Sequence, residues 1–420
     1  MRNKRLDILR CMAVLLVLGR HGLIQGVWFE VGWAGVDLFF VLSGFLVSGL
    51  LFSECKRTQR ISLRRFFIRR GFKIYPAFWA MLIGSSLIAL AYGLRFPGFL
   101  WWREILFIQN YKPAIWRHTW SLAVEEHFYI ILPLLLVALN RLSKNRKDPF
   151  WFIPYAFCIL APVTLAMRYV AVHQPSYKPV DFSKLMYLTH LRIDALFFGV
   201  VLGYFYHFRP GFLPSLFRNG WNRVAAEGII ALLISCCFVF PVESPFMQTF
   251  GFTLLYLGFG GLLALSLTAS GPDESSATLS AAGSKIGGVL AFVGMYSYSI
   301  YLWHIPVLTY GLRGVQALSP VTLSMASLTY MYIAISIPFG ILMARIVEFP
   351  ALQLRDRLFP RTIGFAVPNR AEVIESAEPS FTEREPVVKC PSVLSMLRST
   401  VWKRKDSPGS AAVSEVMPSD

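Results

Sequence analysis

Apolar stretches long enough to cross a lipid bilayer recur along this chain, separated by short links that are either rich in arginine and lysine or nearly free of them. A hydrocarbon core about 30 Å thick needs about 20 apolar residues at a helical rise of 1.5 Å. Lipid offers no partner to a backbone N–H or C=O, so a span must satisfy its own hydrogen bonds. Uninterrupted apolar runs meet that demand as helices, and the expected class is an all-α polytopic membrane protein. About ten such stretches are expected: Leu6–Ile24, Val36–Ser53, Ile74–Leu94, Val124–Leu139, Phe150–Val172, Leu191–Tyr206, Val224–Phe240, Phe246–Thr268, Ile286–Tyr310 and Val321–Ile346. Gly98–Gln109, with Trp101 and Trp102, reads either as an interfacial helix or as part of a broken span.

Charge sets the orientation. Only 15% of residues are charged, against about 25% in a soluble domain. The net charge of +17 is gathered in links rather than spread over a face, which suits cytoplasmic loops and gives no reason to expect a nucleic-acid partner. Arg2, Lys4 and Arg5 precede the first span, Lys56 to Lys73 follow the second, Arg141 to Lys147 the fourth, and Arg209, Arg218 and Arg223 the sixth. His21–Gly35 and Pro241–Pro245 hold no Lys or Arg. Both termini are therefore expected in the cytoplasm, although Arg95, Arg103, Lys112 and Arg117 then fall on the outer side. The amino-terminal run reads as a first span rather than a cleaved leader, because no small-x-small site follows. Residues 1–355 form the expected membrane domain. Residues 356–420, rich in Pro, Ser, Glu and Lys, read as a largely disordered cytoplasmic tail whose Trp402–Lys405 piece suits anionic lipid.

Six cysteines in 420 residues, mostly within spans or cytoplasmic links, suggest no disulfide. The chain lacks C-x-x-C and H-E-x-x-H, so no metal site is expected, and lacks G-x-x-x-x-G-K-[ST] and G-x-G-x-x-G, which argues against an ATP-driven pump or a dinucleotide enzyme.

Ionisable residues inside spans are costly and usually mark a site or a pathway. Arg10 and His21 are eleven residues apart on the first span, which returns them to within about 20° of one helix face, about 16 Å apart along the axis. On the expected topology Asp37, Glu125, Glu126, Arg168, Arg192, Asp194 and His304 join His21 toward the outer side. Arg10, Arg69, Arg70, Lys73 and Glu348 lie toward the inner side. That division suits group transfer from a phosphorylated cytoplasmic donor, held by arginines, to a hydroxyl deprotonated by an imidazole. Glu125 or Asp37 would orient that imidazole or stabilise its charged form. Blander readings exist at each position: Arg10 pairing with Asp7, Asp37 as a helix cap, His304 as an interfacial residue beside Tyr301 and Trp303, the basic link as a topology signal only.

Taken together and in order, these residues resemble the acyltransferase 3 family of bacterial integral-membrane acyltransferases. The strings that carry the resemblance are L-D-I-L-R with Arg10 and the R-x10-H spacing to His21; G-V-D-L-F-F-V-L-S-G-F-L around Asp37 and Ser43; and F-F-I-R-R-G-F-K-I-Y-P from Phe66 to Pro76. They continue with H-T-W-S-L-A-V-E-E-H-F-Y from His118 to Tyr129, R-I-D-A-L-F-F-G from Arg192, Y-S-Y-S-I-Y-L-W-H ending at His304, and E-F-P at Glu348.

The resemblance implies about ten core helices in the bacterial cytoplasmic membrane and no bound cofactor. It implies transfer of an acetyl or related group from acyl-CoA, as co-substrate, to a hydroxyl of a glycan or lipid-linked saccharide such as exopolysaccharide or lipopolysaccharide. On that basis His21, Glu125 and Asp37 are the catalytic candidates and Arg10, Arg69, Arg70 and Lys73 the donor-binding ones. Ser43, His118, Ser121, Glu126, Tyr129, Arg192, Asp194, His304 and Glu348 would hold the acceptor or support the site. Three departures stand out: the R-x-x-R pattern reads Arg70-Gly-Phe-Lys73, His127 stands where Gln is usual, and nothing after Pro350 resembles the hydrolase-like SGNH domain of some relatives. The rival reading from another class is a transporter or flippase that uses the same charges as a pathway for an acylated or anionic solute.

Overall fold

A computed structural model describes residues 3–112, 114–143, 148–174, 185–268, 277–318 and 322–360. The expected tail from residue 361 and the basic residues Lys144, Arg146 and Lys147 lie outside the described residues. The described chain is helical, with no strand among its residues. The long helices are α1 (Lys4–Arg20), α2 (Gly35–Thr58), α3 (Leu63–Ala91), α4 (Trp120–Leu142), α5 (Ile153–Val172), α6 (Ile193–Phe208), α7 (Gly220–Val239), α8 (Phe252–Thr268), α9 (Ala277–Met295), α10 (Ser297–Pro306) and α11 (Met325–Met343). A last helix, α12 (Phe349–Leu358), follows a π-helical turn at Ala344–Glu348.

Among the described residues, seven helical segments are long and apolar enough to cross a membrane, or eight if the pair Lys285–Met295 and Ser297–Ala317, bent by 65°, counts as one span. Two segments expected as spans fall short of that measure: α1 has 17 residues with charges at its start, and α6 has 16. The basic link after α2 is not a loop throughout. Its residues from Leu63 wind into α3, which Ser62 begins by accepting a hydrogen bond from the Arg65 amide at 3.3 Å. Gly98–Ile105 is a separate short helix.

Burial sorts the helices into an interior and a rim. In the segment Val27–Thr58 that carries α2, 72% of the apolar window is buried, against 17% in α5 and in α7, whose Ile159, Val170, Leu232 and Val239 are exposed. An apolar rim around a packed interior is the arrangement lipid demands. The chain is thus a multi-pass membrane protein.

Small residues bring the central helices together. A Cβ on Gly44 would fall 1.8 Å from the Leu196 carbonyl oxygen, and one on Gly199 2.2 Å from that of Val41, so α2 and α6 meet backbone to backbone. Gly294 does the same for α9 and α1: its Cβ would lie 1.7 Å from the Asp7 carbonyl.

Two buried ion pairs stitch this interior. Arg192 at the start of α6 donates to Asp37 of α2 at 2.6 Å, and both side chains are 1% exposed. Arg168 of α5 pairs with Asp194 at 2.8 Å and also donates to Thr253 at 2.7 Å and to the Leu191 carbonyl at 3.1 Å. Charges inside a bundle are tolerated when so paired.

Candidate active site: two chambers on one helix

Helix α1 lines two cavities. The first, of about 920 Å³, is walled by Arg10, Arg70, Lys73, Ser43, Ser121, Glu125, Glu126, Tyr129 and Tyr298 among others. The second, of about 610 Å³, is walled by Val17, Arg20, His21, Trp33, Arg117, His118, Trp120 and Tyr187 among others. Val36 and Tyr301 belong to both walls and form the partition between them. The spacing of Arg10 and His21 is therefore realised as one helix presenting a cation to one chamber and an imidazole to its neighbour.

The Arg10 chamber is polar on one side. Arg10 lies 3.7 Å from Asp7, so its pairing and its place in the wall coexist. The Arg70 guanidinium stacks over the Tyr129 ring at 4.4 Å, and its buried Nε has no partner among the described residues. Tyr129 donates to Glu125 at 2.5 Å, so the hydroxyl of Ser43, 2.5 Å from the same phenol, donates to Tyr129. Glu126 accepts from Tyr75 at 3.1 Å. Lys73 is held by Glu348, whose other oxygen accepts from Ser299 at 2.8 Å. The π-helical turn that ends at Glu348 delivers that carboxylate. Arg69 points elsewhere: it lies 3.9 Å from Asp356 and does not line the chamber.

The second chamber holds the imidazoles. His21 caps the end of α1, with its backbone N–H turned to the Leu18 and Gly19 carbonyls. Its ring Nδ1 lies 2.9 Å from the Val17 carbonyl and 3.3 Å from Nε2 of His304. A carbonyl accepts only, so the ring proton is on Nδ1 and Nε2 carries the lone pair. That is the form a general base needs. His118 donates from Nε2 to the Leu302 carbonyl at 3.1 Å, and its buried Nδ1 has no partner among the described residues. Arg20 lies over the Phe29 ring at 4.7 Å and donates to the Phe29 carbonyl at 3.2 Å.

Two sequence expectations are corrected by this geometry. Asp37 and Glu125 were expected to orient the His21 imidazole, but Asp37 is occupied by Arg192 and lines neither chamber, while Glu125 is on the far side of the partition. Nor is Asp37 a helix cap, because α2 starts after Ala34. Arg192 and Asp194 support the bundle away from both cavities. Ser43, Ser121, Glu126 and Tyr129 gather with Arg10, His118 gathers with His21, and His304 lies fully buried behind it.

The partition itself was missed. Tyr301 donates to the His118 carbonyl at 2.7 Å and receives the Ser121 hydroxyl at 2.6 Å. Its place in the Y-S-Y-S-I-Y-L-W-H string was the only signal.

A helical membrane bundle whose interior carries a cationic chamber back to back with an imidazole chamber is a candidate site for group transfer. The chain belongs to the acyltransferase 3 family: the family model, described as an acyltransferase domain, matches residues 3–347. It is 26% identical over 328 residues to the peptidoglycan O-acetyltransferase OatA of Listeria monocytogenes, covering 72% of this chain and 49% of that protein. It is 27% identical over 331 residues to the O-acetyltransferase OatA of Staphylococcus aureus, covering 73% of this chain and 50% of the other. The chain thus spans about half the length of these relatives. No solved structure matches it.

Proposed function

We propose that the protein is a bacterial cytoplasmic-membrane O-acyltransferase that moves an acyl group, acetyl in the first instance, from acyl-CoA to a hydroxyl of a glycan or lipid-linked saccharide. The single observation that carries this is the placement of Arg10 and His21 on one helix in abutting chambers. In this reading ten helices cross the membrane, the eight long segments plus α1 and α6, with both ends of the membrane domain in the cytoplasm. The Arg10 chamber then opens toward the donor. Arg10 and Arg70 hold its phosphates, since a guanidinium presents paired N–H donors to phosphate oxygens. Lys73, already held by Glu348, sets the chamber's charge, while Arg69, beside Asp356, stands outside the lining.

The step runs at the partition. His21 Nε2 removes the acceptor hydroxyl proton, the oxygen attacks the thioester carbonyl, the C–S bond breaks, and the departing thiolate takes the proton from His21. Glycan is favoured as acceptor because both relatives are O-acetyltransferases and one is named for peptidoglycan.

The test uses purified full chain in sealed proteoliposomes with labelled acetyl-CoA and a peptidoglycan-derived saccharide. Free CoA appearing together with labelled saccharide supports the enzyme. Label crossing the bilayer without CoA release would instead support the transporter.

A further inference from the structure

The imidazole expected to act as base is supported by another imidazole, where a carboxylate was expected. His304, on α10, is fully buried, and its ring meets that of His21 edge on, with centroids 4.9 Å apart and planes at 61°. Its Nδ1 lies 2.5 Å from the Tyr301 carbonyl, so that nitrogen carries a hydrogen. In the neutral ring Nε2 is then bare and faces the Nδ1–H of His21 at 3.3 Å. The His21 hydrogen is shared between this lone pair and the Val17 carbonyl at 2.9 Å.

We infer that His304 is the positioning residue of the reaction: the Val17 carbonyl sets the Nδ1–H tautomer of His21, and the His304 Nε2 lone pair, as second acceptor of that hydrogen, fixes the ring's orientation with Nε2 turned to the acceptor. The inference rests on the proposed role of His21 as base. His304 lines neither chamber and so acts through His21 rather than on substrate. When His21 takes the hydroxyl proton, its Nδ1–H becomes the donor of a charged ring, and a hydrogen bond from a charged donor is about twice as strong as a neutral one. His304 thus favours the charged intermediate over the resting state. The Tyr301 carbonyl that fixes the His304 tautomer belongs to the partition residue, so the wall between the chambers and the orientation of the base are built from one residue. His118 stands nearby, its ring centroid 5.1 Å from that of His304, but donates to Leu302 and lends no lone pair to His21.

The test compares wild type with His304→Phe, His304→Gln and His21→Ala, all full chain in nanodiscs. The readouts are acyl transfer kinetics and nitrogen-15 spectra of labelled histidine, with the His21 signals assigned by their loss in His21→Ala. The expected wild-type spectrum has the His21 proton on Nδ1. In His304→Phe the His21 Nδ1–H keeps only the Val17 carbonyl, its nitrogen-15 signals shift as the ring loses its second acceptor, and kcat falls about 10- to 100-fold with KM for acyl-CoA and saccharide unchanged, the scale of a misplaced catalytic group. His304→Gln, whose amide oxygen accepts from His21, restores the second acceptor and recovers the wild-type signals and most of the rate. A wild-type His21 protonated on Nε2, or a His304→Phe variant within twofold of the wild-type kcat, would overturn the inference. Should His21→Ala itself keep its activity, the base assignment fails instead, so the two failures are told apart.

Discussion

Replacing Arg192 with Met removes the guanidinium paired with Asp37. Asp37 is fully buried, and the second oxygen of its carboxylate already lacks a partner among the described residues. Two unit charges at about 4 Å attract by about 4 kcal/mol at an effective dielectric of 20, and breaking a buried pair costs about 3–5 kcal/mol because the remaining charge is stranded. Arg192→Met and Asp37→Asn should therefore each lower the folding equilibrium by about two to four powers of ten. The double variant Asp37→Leu with Arg192→Met strands nothing and should return to within about 1–2 kcal/mol of wild type, since apolar replacement of a buried pair is often neutral. The assay is reversible unfolding in mixed micelles followed by optical spectroscopy, with acyl transfer measured on the same preparations. A double variant as unstable as the singles would refute the pairing argument. One that is stable yet inactive would show that Asp37 takes part in the chemistry, as its place in the sequence first suggested.

Other consequences follow from particular contacts. Gly44→Leu should prevent α2 and α6 from closing and abolish accumulation of folded protein, measured by fluorescence-detected size exclusion, because the added side chain meets the Leu196 carbonyl. Arg70→Ala should raise KM for acyl-CoA about tenfold or more with a smaller change in kcat, whereas Arg70→Lys should restore charge but not affinity, read by steady-state kinetics. Tyr129→Phe should release Glu125 and Ser43 together, so adding Glu125→Gln to it should cost less than the two single losses combined, as a double-mutant cycle of acyl transfer rates would show. Glu104 lies outside the spanning segments in the short helix Gly98–Ile105, where burial raises its carboxyl to about 7 against opposing hydrogen bonds from Trp116 and Thr119. An acid raised on folding stabilises fully below its unfolded value and loses that contribution as pH climbs through the folded one. Thermal stability should therefore fall between pH 4.5 and about 7, and Glu104→Gln should flatten that decline.

The parts of this architecture that were legible in the sequence are local ones. Arg10 and His21 were linked in the sequence because one lies on the first helix and the other caps its end, and apolar length located most spans. The two short ones, α1 and α6, were read as spans from the same apolar pattern, although their helices run only 17 and 16 residues. What periodicity does not encode is which distant residue arrives beside a given one. His304 reaches His21 across 283 positions, and Arg192 reaches Asp37 across 155. A carboxylate near an imidazole in the expected topology looked like its orienting partner, yet a buried carboxylate goes to the nearest guanidinium, whose attraction is stronger and whose fork fits it. The partition was hidden for a related reason: Val36 and Tyr301 are ordinary bundle residues until two cavities are seen to share them.

The most direct measurement of the central claim is the rate of CoA release from acetyl-CoA in the presence of acceptor, set beside donor affinity, for wild type and His21→Ala. With His21 as the base and the donor held in the neighbouring chamber, the variant should bind acetyl-CoA with a Kd within about twofold of wild type while its turnover falls by at least 100-fold, the lower bound for a lost general base. Turnover that survives in His21→Ala would contradict the account outright.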